Sequence, residues 1–233
     1  MSKTNIWFIT AKTNLHVGDE NSSSYGLIDK TVQRDALTGL PCIHSSSLKG
    51  ALNEYCSYGD NGKELLMSDK RITIFGSDKT NTAQDTQKGS HIFFDAHLLF
   101  LPQQDDSTLY KLVSCKKVID KFVTAARMHG IVISADKVKE LFKIKNDDNI
   151  LTESEFKDFC SDENLPIIAR NVLENGESKN LWYEQVLPAE TVFYAIIQGD
   201  GDDLKEVLDK EIVQIGANAT IGYGYCEFNI LEL

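Results

Sequence analysis

The sequence predicts a mixed α+β fold in one large domain. Segments typical of strands and of helices both occur, and they do not alternate regularly as in a doubly wound parallel sheet. The chain has 233 residues, enough for one large domain or two small ones. Because no internal repeat is apparent, we predict a single domain over residues 1–233.

Each element has its own local signal. β-Forming residues predict a first strand at 7–10, and the chain from 14 to 38 is polar and irregular, as in a functional loop. At 45–58 apolar residues recur at i, i+3, i+4, i+7 and i+8, which predicts a helix that a serine can cap. Residues 77–90 predict a mobile surface loop. Further strands are predicted at 91–101, 109–114, 167–172, 182–187, 191–198 and 226–231, and further helices at 116–129, 135–142 (capped by Ser134), 153–159 (capped by Thr152) and 202–210.

Composition predicts a soluble cytoplasmic protein. Charged residues make up 25% and hydrophobic residues 42% of the chain, which is ordinary for a globular protein. No stretch approaches the ~18–20 apolar residues of a membrane span, and no signal peptide is visible. The five cysteines are odd in number and lack Cys-x-x-Cys spacing, so we expect reduced thiols and no zinc site.

The most informative segment is a glycine-rich run at 216–225, which reads Gly-Ala-Asn-Ala-Thr-Ile-Gly-Tyr-Gly-Tyr. It leads straight into a predicted strand, unlike a flexible linker. Glycine permits positive φ and close approach of a ligand to main-chain N–H groups, and clusters of such groups hold phosphates. The alternative is a tight turn or bulge without a ligand.

Two residues of the N-terminal loop are catalytic candidates. Asp29 follows Gly26-Leu27-Ile28, and a carboxylate there could hold a divalent metal beside a phosphate or orient a ribose 2′-OH. The alternative for Asp29 is an Asx-turn or a cap. His16 could act as a general base, or it could be a hydrogen-bonded histidine that shapes its own turn.

The start of the 45–58 helix resembles a phosphate grip. Hydroxyls and free N–H groups at a helix start accept an anion, and a lysine lies in the first turn. Plain capping beside a solvated lysine explains the same residues. Arg34 could contact RNA or pair with Asp35 or Asp29. The predicted grip consists of Ser45, Ser46, Ser47 and Lys49.

Taken together, these motifs resemble the RAMP superfamily of CRISPR RNA-binding proteins, in particular the repeated backbone subunit of type III-B (Cmr) effector complexes. Each motif alone is weak, but five in the family's order over one chain are specific. The resemblance does not reach residues 116–164. The five motifs are His16-x-Gly18, Gly26-x-x-Asp29, Gln33-Arg34-Asp35, the run from Pro41 to Gly50, and the glycine-rich loop. The segment Leu181-Trp182-Tyr183-Glu184 with 187–191 also resembles that subunit in particular.

The resemblance implies a ferredoxin-like (RRM-like) palm with loop and helical insertions, the central one at about 116–164, and a thumb hairpin at about 167–187. In the family the thumb displaces a base pair of the guide–target duplex. The tip here is acidic and polar, without an obvious apolar wedge, and Trp182 by itself favours core packing. The predicted thumb residues are Glu174, Asn175, Gly176, Trp182, Tyr183 and Glu184.

The resemblance also implies an activity. Asp29 occupies the position that the family requires for cutting target RNA, with a divalent metal (Mg²⁺ or Mn²⁺) as cofactor and Asp29 as its ligand, while His16 contributes little. The implied partners are guide RNA, target RNA, further copies of the chain, and other RAMP and small subunits. The implied RNA contacts are Gly18, Arg34, Ser45, Ser46, Ser47, Lys49, Gly216, Asn218, Ala219, Thr220, Gly222, Tyr223 and Gly224.

The net charge of −11 argues against RNA binding by simple electrostatics, because most nucleic-acid-binding domains are basic. Backbone N–H groups nevertheless bind phosphate without adding charge. Three alternatives therefore stay open: a RAMP scaffold that does not cut, a metal-independent guide-processing endoribonuclease that uses His16, and a relative that shares only the fold.

Overall fold

The computed structural model describes residues 3–18, 28–58, 65–77, 87–144 and 147–232. The helices are α1 (Ser45–Tyr58), α2 (Ser68–Phe75), α3 (Lys116–Met128), α4 (Ala135–Leu141), α5 (Glu153–Phe159) and α6 (Asp203–Leu208), with 3-10 turns at Asp147–Asn149 and Ala219–Ile221. The strands are β1 (Lys3–Ala11), β2 (Cys42–Ile43), β3 (Ile92–Phe93), β4 (Ala96–Asp105), β5 (Leu109–Cys115), β6 (Ile150–Leu151), β7 (Ile167–Glu174), β8 (Glu177–Gln185), β9 (Val192–Gly199), β10 (Ile212–Gln214) and β11 (Tyr225–Ile230).

A ferredoxin-like palm forms the centre of the molecule. The main sheet runs β10-β11-β1-β9-β4-β5-β6, and its four central strands pair antiparallel in the order β11-β1-β9-β4. With α1 after β1 and α6 after β9, these strands follow the βαββαβ order of ferredoxin-like folds. The predicted α+β class and the ferredoxin-like palm are confirmed.

The two faces of the palm sheet have different aromatic cores. Side chains alternate along β1, so Trp7 lies on the face of Phe228, with ring centroids 6.3 Å apart. Phe8 lies on the opposite face, paired in register with Tyr194. There Phe122 of α3 contacts both residues, at 5.6 Å from Phe8 and 4.8 Å from Tyr194. Helix α3 therefore covers the second face, which a bare ferredoxin-like sheet leaves open.

The chain between β4 and β9 supplies most of what is added to the palm, while β2, α2 and β3 precede β4 and β10 precedes β11. Strand β5 pairs with β4, and β6 pairs with β5. The added segment therefore extends the edge of the sheet, and its helix α3 covers one face. The predicted caps of α4 and α5 are present: the Ser134 hydroxyl accepts from the Lys137 N–H, and Thr152 forms a capping box with Glu155. These caps fix where each short helix begins.

Several elements differ from the sequence prediction. The predicted strand 91–101 is interrupted at residues 94–95, because the Asp95 carboxylate accepts from the Ser45 N–H (2.7 Å) at the start of α1. Helix α2 was not predicted, since its β-branched Ile72, Thr73 and Ile74 favour strands. Of the predicted loop 77–90, residues 78–86 lie outside the described part of the chain.

The thumb is a two-stranded hairpin, β7–β8, that forms a sheet of its own. At its tip Asn175 and Gly176 have φ of 53° and 85°. Positive φ at both central residues matches the turn that the Asn-Gly pair predicts. The expectation of a wholly polar tip is incomplete, because Leu173, directly before Glu174, is 64% exposed.

Candidate nucleic-acid interface and catalytic carboxylate

Asp29 lies at the surface, attached to the thumb. The Tyr183 N–H of β8 donates to Asp29 Oδ2 (2.7 Å), and the Asp29 N–H donates to the Tyr183 carbonyl (3.0 Å). Its other oxygen, Oδ1, has no hydrogen-bond partner among the described residues. Gly26 and Leu27 of the same motif lie outside those residues. The carboxylate is thus oriented by the backbone and keeps one oxygen available to a ligand.

His16 is buried beneath this surface rather than facing it, with 2% of its area exposed. Its Nδ1–H donates to the Gln185 carbonyl (2.7 Å), and Nε2 lies 3.6 Å from Glu184 Oε1. A Cβ at Gly18 would lie 3.1 Å from that Nε2, so the glycine allows the chain to pass close to the ring. A general base must reach its proton. This placement favours the structural role of His16 that the sequence left open.

Glu184 is the centre of a buried ionic cluster that joins three parts of the chain. Its Oε2 accepts from Arg170 Nε (3.1 Å) on β7 and from Asn218 Nδ2 (2.8 Å) in the glycine-rich loop. Its Oε1 lies near His16 and 3.8 Å from Lys30 Nζ. The Glu184 side chain is 1% exposed. The thumb, the N-terminal loop and the glycine-rich loop therefore share one buried carboxylate.

The glycine-rich loop is seated on the N-terminal loop. Gly216 has φ of 80°, and a Cβ there would lie 2.3 Å from the His16 carbonyl oxygen, so only glycine fits. Gly224 has the same φ and approaches the Ile215 carbonyl as closely. Beyond these anchors Ala219, Thr220 and Gly222 are exposed. The N–H groups of Asn218, Ala219 and Thr220 have no hydrogen-bond partner in the described part of the chain.

Tyr223 completes the connection between this loop and the thumb, because the guanidinium of Arg170 stacks 4.8 Å from its ring centroid. Near Asp29, Lys30 lies 5.5 Å from the ring centroid of Trp182. Trp182 is therefore half-buried at the surface instead of in the core. The Tyr183 side chain is exposed next to it, beside the backbone atoms that hold Asp29.

The start of α1 is only partly open to an anion. The Ser45 N–H is already bonded to Asp95, and the Ser47 hydroxyl accepts from Gln33 Nε2 (3.0 Å). A carboxylate at this helix start competes with phosphate. Ser46 is exposed and Lys49 half-exposed. The predicted four-residue grip is thus reduced to Ser46 and Lys49.

Gln33 organises this region, a role that its position in a motif did not predict. It is 7% exposed, and its amide bonds the Gly18 carbonyl, the Ser47 hydroxyl and the His44 N–H. A polar residue inside a motif of the resemblance was the available signal, and in this chain Gln33 is a buried side chain with three hydrogen bonds.

Arg34 pairs with neither Asp35 nor Asp29. Its Nε and Nη2 donate to Asp162 Oδ1 (3.1 and 2.6 Å), and Nη1 donates to the carbonyls of Gly39 and Cys160 (2.8 Å each). These bonds tie the N-terminal loop to the end of α5. Because the guanidinium is committed to internal acceptors, we assign Arg34 a structural role instead of an RNA contact.

The described residues contain no group of three or more His, Cys, Asp or Glu side chains that could hold a metal ion. Asp29 offers one carboxylate, and Mg²⁺ commonly binds one or two carboxylates together with substrate phosphates and water. The donor set therefore fits a metal shared with a phosphate, not an all-protein site. The five cysteines are buried and unbridged, as predicted, and burial raises the pKa of the Cys160 thiol to about 12.

No helix among the described residues has the length and apolar character needed to cross a membrane.

Comparison with known proteins agrees with the motif-based resemblance. A protein of Pyrococcus furiosus, the CRISPR system Cmr endoribonuclease Cmr4, is 26% identical over 284 aligned positions, which cover 95% of this chain and 93% of that protein. A chain of the cryo-EM structure of Type III-B Cmr-beta bound to cognate target RNA superposes with a TM-score of 0.74 at 21% identity, covering 97% and 96% of the two chains. Oligomeric Cmr4 from P. furiosus superposes with a TM-score of 0.70 at 21% identity, covering 99% and 98%.

These structural similarities extend over the whole palm and thumb, and the fold agreement does not rest on one motif. The family model of the RAMP superfamily matches residues 8–227, from the first palm strand to the last. This chain belongs to the RAMP superfamily.

Proposed function

We propose that this chain is the repeated backbone subunit of a type III-B CRISPR effector complex in the cytoplasm, and that each copy cuts the bound target RNA once. Copies stack along the guide RNA, so the cuts fall at regular intervals. Base pairing reads the sequence, while the protein binds backbone and shape. The support is membership of the family and the similarity to a Cmr endoribonuclease over 95% of the chain.

The proposal that the chain cuts RNA rests on the position and hydrogen bonding of the Asp29 carboxylate. It is a surface carboxylate with one oxygen fixed by the Tyr183 N–H and the other available to a ligand. In the proposed reaction a ribose 2′-oxygen attacks the adjacent phosphorus and the P–O5′ bond breaks. The attacking hydroxyl gives its proton to Asp29 or to solvent, and the leaving oxygen takes a proton from solvent. The products carry a 2′,3′-cyclic phosphate and a 5′-OH.

A divalent metal, Mg²⁺ or Mn²⁺, is part of this proposal, with Asp29 as its protein ligand. When bound, such an ion neutralises charge on the phosphate that is attacked. The residues of this chain supply the other requirements. The Tyr183 N–H orients the carboxylate. The hairpin beside it carries Leu173 and the other side chains near its tip, and these can distort a duplex for in-line attack.

Guide-RNA binding is assigned to surfaces whose polar groups are still available. These are the N–H groups of Asn218, Ala219 and Thr220, together with Ser46 and Lys49 at α1. Backbone N–H groups bind phosphate without a basic surface, which accommodates the net charge of −11. Gly18, Gly216, Gly222, Tyr223 and Gly224 shape these loops; their own contact with RNA is part of the proposal.

The test is target-RNA cleavage by the assembled complex with wild-type chain, Asp29→Asn and the control Asp106→Asn. Asparagine keeps an acceptor for the Tyr183 N–H but loses the charge, so folding and guide binding should persist. Removing a group that transfers or coordinates in the transition state costs about 10²–10⁴-fold in rate. We expect the regular ladder of cuts to disappear in Asp29→Asn and in EDTA, and to persist in Asp106→Asn.

The alternatives give different results in the same experiment. Undiminished cutting by Asp29→Asn, with the complex intact, would reduce the chain to a scaffold. Cutting that ignores EDTA and is lost in His16→Gln at unchanged stability would favour the metal-independent, histidine-dependent enzyme. If the purified complex contains no RNA, the result would favour the third alternative, a relative that shares only the fold of the family.

A further inference from the structure

The backbone of Lys30, the residue after Asp29, is fixed to the thumb as firmly as that of Asp29 itself. The Lys30 N–H donates to the Tyr183 carbonyl (3.2 Å), which also accepts from the Asp29 N–H (3.0 Å). The Gln185 N–H donates to the Lys30 carbonyl (2.9 Å). Sites built on strands keep more precise positions than sites on free loops. The pairing with β8 therefore places a cation directly after the proposed catalytic carboxylate.

The Lys30 side chain has two neighbours that position it, and neither forms a hydrogen bond with its ammonium. Its Nζ lies 5.5 Å from the ring centroid of Trp182 and 3.8 Å from Glu184 Oε1. The ammonium has no hydrogen bond among the described residues, and the side chain is 55% exposed. Because a lysine ammonium carries three donors, Lys30 is free to donate to a bound phosphate.

Glu184 does not neutralise Lys30, because it is bonded more closely to another cation. Arg170 Nε donates to Glu184 Oε2 at 3.1 Å, whereas Lys30 lies 3.8 Å from the other oxygen, beyond hydrogen-bond distance. The Arg170 side chain is 18% exposed, so it is the inner cation and Lys30 the outer one. Two cations thus share one buried carboxylate. In a chain of net charge −11, this leaves a cation at the surface beside the proposed site of cleavage.

The proposed reaction builds up negative charge that needs a cation of this kind. When the 2′-oxygen attacks, charge develops on the non-bridging oxygens of the phosphate, and a preorganised donor stabilises that charge in the transition state. Asp29 is itself an anion. His16 is 2% exposed and directed to Gln185 and Glu184, so it does not reach the phosphate. Lys30 is exposed and lies next to Asp29 in the chain.

We propose that Lys30 is a second catalytic residue of the cleavage proposed at Asp29, on which this role rests. Its ammonium donates a hydrogen bond to a non-bridging oxygen of the phosphate under attack, while the Trp182 ring holds its aliphatic stem. Lys30 keeps its proton throughout. The P–O2′ bond that forms, the P–O5′ bond that breaks and the protons that move are those of the reaction described above. The motif resemblance gives no role to this residue, since it stops at Asp29 and resumes at Gln33.

The test uses the assembled complex in excess over a complementary target RNA, so that a single round of cutting is measured. The variants are Lys30→Met, Lys30→Arg, Asp29→Asn and the control Lys70→Met. Methionine keeps an apolar stem on Trp182 and removes the charge. Lys70 is 56% exposed and paired with Asp203, so it matches Lys30 in exposure and charge but lies on α2. A second target carries a phosphorothioate at the scissile phosphate, as each of its two diastereomers.

We expect Lys30→Met to cut about 10²-fold more slowly at saturation, which is the usual loss when one donor to a transition-state oxyanion is removed. The half-saturating concentration should change by less than about two-fold, because base pairing supplies most of the binding. Lys30→Arg keeps a cation and should recover at least about ten-fold of the loss. Lys70→Met should cut at the wild-type rate.

The phosphorothioate reports contact with the reacting phosphate, which a purely structural role of Lys30 would not affect. We expect wild type to cut one diastereomer more slowly than the unmodified target. That penalty should shrink in Lys30→Met, because two changes to groups in contact are not additive. Since the penalty is a ratio within one variant, it does not depend on how much of that variant is folded.

The role of Lys30 can fail while the proposed function stands. If Asp29→Asn is inactive and Lys30→Met cuts at the wild-type rate, Asp29 still cuts and the role of Lys30 is overturned. If Lys30→Met cuts slowly with an unchanged phosphorothioate penalty, Lys30 acts only through the Glu184 cluster, which overturns the proposal as well. Undiminished cutting by Asp29→Asn would overturn the cleavage itself, and the role of Lys30 with it.

Discussion

Two acidic residues beside the same strand, Asp29 and Glu184, have opposite surroundings. Asp29 lies at the surface and is held by one N–H of Tyr183. Glu184, the next residue along β8, is 1% exposed and is surrounded by Arg170, Asn218, His16 and Lys30. The difference teaches which carboxylate can react: the buried one is saturated and fixes the loops, whereas the exposed one is positioned by them and keeps an oxygen available.

The largest stability effect is expected from Glu184→Ala. Removing one partner of a buried ion cluster leaves uncompensated charge and costs about 3–5 kcal/mol, or roughly 10 °C in melting temperature for a chain of this size. Glu184→Gln keeps one acceptor and should lose less. Thermal unfolding by calorimetry measures both.

The control for this prediction is Glu177→Gln, whose carboxylate is exposed in the same hairpin and 3.8 Å from Lys179. An exposed pair of this kind contributes at most about 1 kcal/mol. Equal melting temperatures for Glu184→Ala and Glu177→Gln would contradict the view that Glu184 organises the site.

Two glycines extend this comparison: one is packed against the N-terminal loop, and the other lies at the exposed tip of the thumb. Gly216 and Gly176 have φ of 80° and 85°. Alanine in this left-handed conformation destabilises the fold by about 1–2 kcal/mol at either position. At Gly216 the new Cβ also meets the His16 carbonyl at 2.3 Å, while at Gly176 nothing lies within 4 Å. We expect Gly216→Ala to cost at least about 3 kcal/mol in chemical unfolding and Gly176→Ala about 1 kcal/mol.

Similar losses for the two glycine variants would mean that the glycine-rich loop moves away from His16 without difficulty. The seating of the loop would then not depend on the buried cluster, and the link between the cluster and the loop would fail.

Local sequence predicted the parts of this site but not their connections. The Asn-Gly turn, the helix at 45–58 and the two caps depend on neighbouring residues, and all are present. The role of Glu184 depends on residues 16, 170 and 218, whose proximity only the fold creates.

Two further failures have the same origin. Arg34 pairs with Asp162, 128 positions away, because α5 returns to the N-terminal loop. Asp95 bonds the helix start that could have bound phosphate, because the chain bulges at that residue between β3 and β4 where both strands pair with β9. Single-sequence patterns report periodicity and turn chemistry, and contacts between distant segments leave no such pattern.

A smaller effect is expected at Asp29 itself. Asp29→Asn keeps the acceptor for Tyr183, and surface substitutions of this kind stay within about ±0.5 kcal/mol. We therefore expect the Asp29→Asn variant to have the same melting temperature as wild type, measured on the same preparation that no longer cleaves RNA. A large loss of stability would place Asp29 with Glu184 as a structural residue and remove the basis for the comparison.

Asp105 is a third carboxylate, and it shows how hydrogen bonding alone changes the pKa of a carboxylate at the surface. It is the last residue of β4, next to the surface turn into β5, and hydrogen bonds from the side chains of Ser107 and Thr108 lower its pKa from 3.8 to about 2. Since the folded pKa is below the ordinary value, its contribution to stability is complete above pH 4 and is lost as the pH falls towards 2. NMR titration of the side-chain carboxyl should give this value, and Ser107→Ala should raise it. If Ser107→Ala leaves the pKa near 2, hydrogen bonding does not control this carboxylate. A rise shows that bonds to one oxygen set the pKa of a surface carboxylate whose other oxygen, Oδ2, has no partner among the described residues. Asp105 and Asp29 thus both keep an unbonded oxygen, and what sets Asp29 apart is its attachment to the thumb through the Tyr183 N–H.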